Sequence, residues 1–182
     1  MIRLVLNDEH LASVLHEAIE DSRHRLFIST ADVKDVHVPV PAARGGRPGR
    51  RRAESILDIF RRLSDRGVEI RLLHSGVPSG PLLAELKAGV PANLIMRRCP
   101  RVHAKAVIVD GRRMYLGSAN LTGAGLGAKS VRHRNFEAGI WTDDLALIDP
   151  LADMLEGVWE GAECPPCGRK AHCPVPLEEP KL

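Results

Sequence analysis

Aromatic residues make up only 3% of the 182-residue chain, too few for the row of stacking side chains on which single-stranded nucleic acid is usually held. Long apolar runs are missing too. None approaches the roughly 20 residues of a membrane span, and the opening MIRLVLNDEHLASVL is broken by charge before a signal-peptide core could form. A cytoplasmic protein without a membrane span is therefore expected. Lysine is scarce: only six of the 26 basic residues are lysine, so arginine, whose planar fork suits phosphate oxygens, carries most of the positive charge. The net charge of +3 is modest, and no internal repeat is visible. A chain of this length builds one domain with a sizeable core.

What is present is an α/β pattern. Leu11, Val14, Leu15, Ala18 and Ile19 recur at helical spacing, which predicts a helix over 8–22, and RLFIST after it reads as a buried strand. The stretch 39–52 has no hydrophobic period and is built of Pro, Gly and Arg. It is either a solvated connector or a clamp on phosphate backbone formed by Arg44, Arg47, Arg50, Arg51 and Arg52. Ile56, Leu57, Phe60 and Leu63 mark a helix ending at Gly67, VEIRLLH a strand, 80–88 a weaker helix, and ANLIMRR and NFEAGIWTD two more strands. Asp149 followed by Pro150 predicts the start of a closing helix. After Gly161 the pattern dissolves, which divides the chain into a domain over 1–160 and a Cys- and Pro-rich tail over 161–182.

The segment RVHAKAVIVDGRRMYLGSANLTG, 101–123, carries the chemistry. Asp110-Gly111 between apolar runs signals a tight hairpin, pairing 102–109 with 112–118. Paired positions then sum to 221, or to 223 if the loop is Gly111-Arg112. Either register sets His103, Lys105, Ser118 and Asn120 on one face of the sheet. Singly, each has an ordinary structural explanation; four polar groups together on a face that should be apolar point to a site. Asp110 is too far along the strand to join them and reads as turn chemistry.

His103, Lys105, Asp110, Gly117, Ser118 and Asn120 fit the pattern HxKxxxxDxxxxxxGSxN, and in this the chain resembles the phospholipase D superfamily. Asn135 and Glu137 match the polar and acidic residues that members carry on a neighbouring strand, and the likeness extends over about residues 8–160. It implies a mixed β-sheet flanked by helices, with one catalytic half-site per chain. It also implies a two-step, metal-independent route through a phosphohistidine. His103 would be the nucleophile, Lys105 and Asn120 would hold the non-bridging oxygens, and Ser118 would add a hydrogen bond. Glu137 would fix a histidine tautomer, on its own or the partner's His103. The general acid must be a second histidine. Lys105 alone among the six lysines has a histidine two residues before it, so a homodimer is expected to supply the second half-site; His133 is the intramolecular competitor. No catalytic cofactor is expected. The arginines make nucleic acid, DNA ahead of RNA, the expected substrate; a phospholipase or phosphatidyltransferase acting on lipid head groups, and a catalytically idle nucleic-acid-binding protein, are the alternatives.

Four cysteines remain. Cys164 and Cys167 form a CxxC, Cys173 follows, and Cys99 lies four residues before His103. Such crowding predicts a structural zinc on four thiolates, with His172 a poorer fourth ligand than Cys99. The prolines after Cys99, Cys164 and Cys173 fit an iron–sulfur cluster as the second choice.

Overall fold

The computed structural model describes residues 1–34, 36–38 and 53–182, so the arginine-rich stretch and its five candidate phosphate ligands lie outside the described residues. Seven strands form one mixed sheet: β1 (Ile2–Leu6), β2 (Arg25–Thr30), β5 (Glu69–His74), β6 (Leu94–Arg98), β7 (Lys105–Val109), β8 (Arg113–Gly117) and β9 (Ala138–Thr142). Their order across the sheet is β1-β9-β8-β7-β2-β5-β6. β2, β5 and β6 run parallel, joined by helices α2 (Ile56–Asp65) and α3 (Gly80–Ala88); the other neighbours are antiparallel. Two-residue strands β3 (His37–Val38) and β4 (Glu54–Ser55) pair antiparallel.

Each face of the sheet has its own core. On one, α1 (Leu11–Ile19) buries Val14, Leu15, Ala18 and Ile19, and α2 adds Ile56, Leu57, Ile59, Phe60 and Leu63 over Leu26, Ile28, Ile70 and Val107. α1 is wound as a π-helix, with Glu20 N–H reaching back five residues to Leu15 O at 3.0 Å, and it is shorter than the 8–22 expected from periodicity. α2 begins at a reciprocal cap: Ser55 Oγ accepts from Asp58 N–H and the Asp58 carboxylate from Ser55 N–H, both at 3.3 Å. On the other face α4 (Leu145–Trp159) sets Ile148, Leu155 and Trp159 over Phe27, Ala106, Ile108 and Met114. α4 starts a turn before the expected Asp149. Asp144 caps it by accepting from Ala146 N–H at 3.0 Å, and Pro150 lies inside the helix.

The hairpin register differs from both expectations. Lys105 pairs with Gly117 and Val109 with Arg113, so paired positions sum to 222. Asp110 and Gly111 both take positive φ, 53° and 65°, and Arg112 is left in the turn. Odd positions therefore share one face, Val107 with Tyr115, and even positions the other, Ile108 with Met114. Ser118 and Asn120 cannot meet His103 and Lys105 by strand alternation; they lie beyond the end of β8, where the chain has left the ladder.

Asp110 anchors this turn to the start of β2. Its carboxylate accepts from the N–H groups of His24 at 2.8 Å, Arg25 at 2.9 Å and Arg23 at 3.1 Å. Burial works to raise its pKa, but those three donors outweigh it and hold the carboxyl below its ordinary value of 3.8. A depressed folded pKa stabilises the protein above the unfolded value, and that contribution is lost as pH falls through the folded one. Asp110→Ala is expected to cost about 1–3 kcal/mol at neutral pH by leaving these donors unsatisfied. In denaturation curves at a series of pH values the gap to wild type should narrow below pH 3.8; a gap independent of pH would contradict this account.

Candidate active site

His103 is exposed, in coil two residues before β7, while Lys105 opens that strand and is 9% exposed. Lys105 Nζ donates to the His103 carbonyl at 2.9 Å and lies 3.1 Å from both ring nitrogens, so one ammonium braces the main chain and meets the imidazole. Burial lowers the Lys105 pKa against the opposing charges of Glu137 and Asp32, which places both carboxylates within its electrostatic reach. Asp32, just beyond β2, carried no signal in the sequence.

Opposite Lys105, Gly117 ends β8 and the chain turns sharply. Ser118 Oγ donates to Glu137 Oε2 and accepts from Ala138 N–H at 3.0 Å; Asn135 Nδ2 donates to Glu137 Oε1 at 2.9 Å. Both Glu137 oxygens thus have partners other than the chain's own His103, and the structure does not show the expected contact between those two. Glu137 is 8% exposed and is fixed from below by Asn7: Asn7 N–H donates to Glu137 O at 2.9 Å, and Glu137 N–H to Asn7 Oδ1 at 3.2 Å.

Asn120 is held by the end of β2. Its Oδ1 accepts from the N–H groups of Ala31 and Asp32, each at 3.1 Å, and lies 3.2 Å from Thr30 Oγ1. With the carbonyl end spoken for, the amide NH2 is the end oriented for an anionic oxygen. Thr30 also accepts from Leu121 N–H at 3.0 Å, so β2 positions the whole Ser118–Leu121 turn.

Beneath the turn lies Tyr115, 1% exposed, with burial as the leading cause pushing its phenol up to about 12. His10 Nδ1 faces Asn7 O at 2.7 Å, and a carbonyl only accepts, so that nitrogen carries the proton and Nε2 accepts from Tyr115 OH at 2.8 Å. The same phenol oxygen accepts from Ala119 N–H at 3.3 Å. The ring crosses the paired glycines 117 and 139: a Cβ at Gly117 would sit 2.3 Å from the phenol oxygen, and one at Gly139 2.4 Å from the ring. This close approach explains Gly117. His133 is exposed, its Nδ1 2.9 Å from Ser130 Oγ.

The four cysteines gather on the α4 side. Cys99, Cys164, Cys167 and Cys173 all line one cavity of about 720 Å³ that extends to Arg101 and His103. Burial first, then the thiolates of Cys99, Cys164 and Cys167, push the Cys173 thiol up. Among the described residues, however, no three His, Cys, Asp or Glu side chains close on a point where one metal ion could be held. The structure therefore gives the expected zinc no support. His172 is not among the residues lining the cavity.

A family profile described as "Cardiolipin synthase, PLD-like domain" matches residues 15–159. Among solved structures, NucT from Helicobacter pylori superposes with a TM-score of 0.62 at 16% identity, over 88% of this chain and 96% of its own. Nuc, a phospholipase D family member from Salmonella typhimurium, gives 0.58 at 18%, over 88% and 94%. TrmBL2, an archaeal chromatin protein whose structure shows a mode of DNA binding, gives 0.51 at 16%, over 88% and 52%. No curated protein sequence matches the chain. At these identities the solved structures establish the fold.

Proposed function

The chain belongs to the PLD-like domain family, and from that premise we propose that it is a phosphodiesterase that hydrolyses nucleic acid through a phosphohistidine, at a site shared by two copies of the chain. The observation that carries the reading is Lys105, a cation drawn into the start of the central strand β7, meeting His103 at an exposed position beside the Ser118–Glu137 pair. A phosphodiester entering there meets an imidazole nitrogen for attack on phosphorus. Lys105 and the Asn120 amide offset charge on its non-bridging oxygens. The N–P bond forms as the P–O bond to the leaving group breaks, and the leaving oxygen takes a proton from the partner's His103. Water then attacks phosphorus, gives a proton back to that second histidine, and releases His103. Every step uses side chains alone, so no metal is required for the chemistry.

Two observations support the dimer. One chain supplies one His-Lys pair, and an uncovered apolar surface flanks it. α4 leaves the β1–β9 edge bare on its side of the sheet, exposing Leu4 and Leu6 at 61% and 41%, and Phe136, beside Glu137, is 97% exposed. Such a surface on a polar rim fits a second copy. Phe136→Glu, at a side chain that touches nothing it could unfold, is expected to give a monomer by light scattering that has lost hydrolytic activity. A fully active monomer would overturn the shared site.

The direct test is incubation of the purified protein with labelled DNA, RNA and phospholipid vesicles in excess chelator. Cleavage of either nucleic acid supports the reading, and cleavage of phospholipid alone would move it to the lipid-directed branch. Among the described residues no helix is long and apolar enough to cross a membrane. The arginine-rich stretch is assigned to phosphate backbone. Replacing Arg50, Arg51 and Arg52 with serine should weaken DNA binding and flatten its dependence on salt by about 0.9 log unit for each phosphate that is no longer neutralised; an unchanged slope would make it a connector only.

A further inference from the structure

We propose that Cys99, Cys164, Cys167 and Cys173 ligate an iron–sulfur cluster that fastens the C-terminal tail beside the segment that carries His103 into β7. The inference is independent of the hydrolytic reading. It begins from a tail that has too little of its own to hold it. Residues 161–182 contain one short 3-10 turn, Lys170–His172, and almost no buried side chain. A segment of this kind does not offset its ordering entropy by burial. Yet it returns to the sheet. Arg98 N–H donates to Glu178 O at 3.0 Å, the Arg98 guanidinium meets the Glu178 carboxylate at 2.6 Å, and Leu177 packs against the α4 core. These contacts bring the tail back towards Cys99, whose own N–H is tied to His74 O at 2.8 Å, and all four cysteines line the same cavity.

The cavity and the sequence pattern favour one occupant. Four thiolates around one zinc stand about 3.8 Å apart, as Zn–S bonds of roughly 2.3 Å in a tetrahedron require. The side chains here do not close to such a point, although all four cysteines line a cavity of about 720 Å³. A cluster sets inorganic sulfide and several irons between its ligands and so takes cysteines held apart around a roomier centre. The sequence pattern agrees. Zinc ribbons pair two CxxC knuckles, whereas here one CxxC and a third nearby cysteine are completed by a single remote one, an arrangement found at clusters, and Cys99 and Cys173 are each followed by proline.

The surroundings suit four thiolates and a core of net negative charge. Leu155, Val158, Pro174 and Leu177 supply apolar wall, while Arg101 and Arg169 line the same cavity as counter-charge. Arg169 N–H donates to Cys167 Sγ at 3.5 Å, the kind of main-chain donor that stabilises a ligating sulfur. Ligation replaces each S–H proton, released to solvent, by an Fe–S bond, with the cluster delivered preformed or assembled from ferric iron and sulfide, a thiol reductant supplying the two electrons that a four-iron core requires. No net oxidation of the protein is involved.

The test is anaerobic purification of the full chain, or its reconstitution with ferric iron, sulfide and a thiol reductant, followed by metal and acid-labile sulfide analysis and visible absorption. The expected result is a brown protein with iron and sulfide in equal amounts, about two or four of each per chain. Cys164→Ser and Cys173→Ser should each lower both contents at least severalfold, Cys99→Ser should do the same, and His172→Ala should leave them unchanged. Because Cys99 directly follows β6 and its N–H bonds to the end of β5, circular dichroism is recorded for each variant, and the two tail variants carry the test if Cys99→Ser fails to fold. Loss of the cluster should also expose 161–182 to protease while 1–160 resists. One zinc per chain, a colourless protein with four titrating thiols after reconstitution, or full iron in folded Cys164→Ser would each overturn the proposal.

Discussion

His103→Asn is expected to reduce phosphodiester hydrolysis in chelator by about 10⁴-fold or more, the scale seen when a nucleophile is removed from a site whose other groups remain. The fold should be untouched. His103 is exposed and in coil, its hydrogen-bonding neighbour is the flexible end of Lys105, and the Lys105 contact to the main-chain carbonyl survives the substitution. Stability should therefore stay within about 0.5 kcal/mol of wild type. Lys105→Ala removes charge stabilisation and leaves the nucleophile, so a smaller loss, about 10²–10³-fold, is expected. A second readout separates nucleophile from bystander. Wild-type protein quenched in alkali during turnover of labelled DNA should carry label on histidine, and the asparagine variant should carry none. Full activity in the variant, or a strict magnesium requirement in wild type, would refute the mechanism.

The elements are legible where apolar pattern and local chemistry agree. RLFIST is β2 to the residue, and 80–88 is α3, because a buried strand bounded by polar turns and a short helix between glycines leave local marks. β1 leaves none: four of its five residues are exposed, at a sheet edge where pairing with β9 rather than burial holds them. The hairpin turn is visible in Asp110-Gly111, but its register is not. The third turn residue, Arg112, shifts the pairing by one and exchanges the faces. The sequence therefore points to His103, Lys105, Ser118, Asn120 and Glu137 for a partly mistaken reason. Strand alternation does not gather them. The turn after Gly117 carries Ser118 to Glu137, 19 positions on, and Asn120 to the end of β2, and bonds from Thr30 to Asn120 and from Glu137 to Asn7, 90 and 130 positions apart, hold the two ends in place. Contacts of that range have no local signature, and neither does the crossing of Tyr115 over two glycines.

That crossing yields the second large effect. Gly117→Ala is expected to damage stability and activity together, although the added group is one methyl. Its Cβ would stand 2.3 Å from the Tyr115 oxygen, 2.7 Å from Ala138 O and 2.7 Å from Gly139 Cα. Two of those three are main chain of the adjoining strand and cannot step aside, so the strands must part or the phenol must move. Moving the phenol breaks its bonds to His10 Nε2 and Ala119 N–H, both buried. Overpacking of this kind costs about 1–3 kcal/mol. The displaced turn carries Ser118 and Asn120 with it, and a misplacement near 1 Å reduces turnover about 10²-fold. Gly157→Ala is the control: it lies inside α4 with nothing within 4 Å of the added carbon, and there alanine should stabilise by up to about 1 kcal/mol. Thermal unfolding and rates in chelator on both variants decide the matter. A Gly117→Ala protein as stable and as active as wild type would mean that Tyr115 does not lie across the strand end and that the turn is positioned by something else.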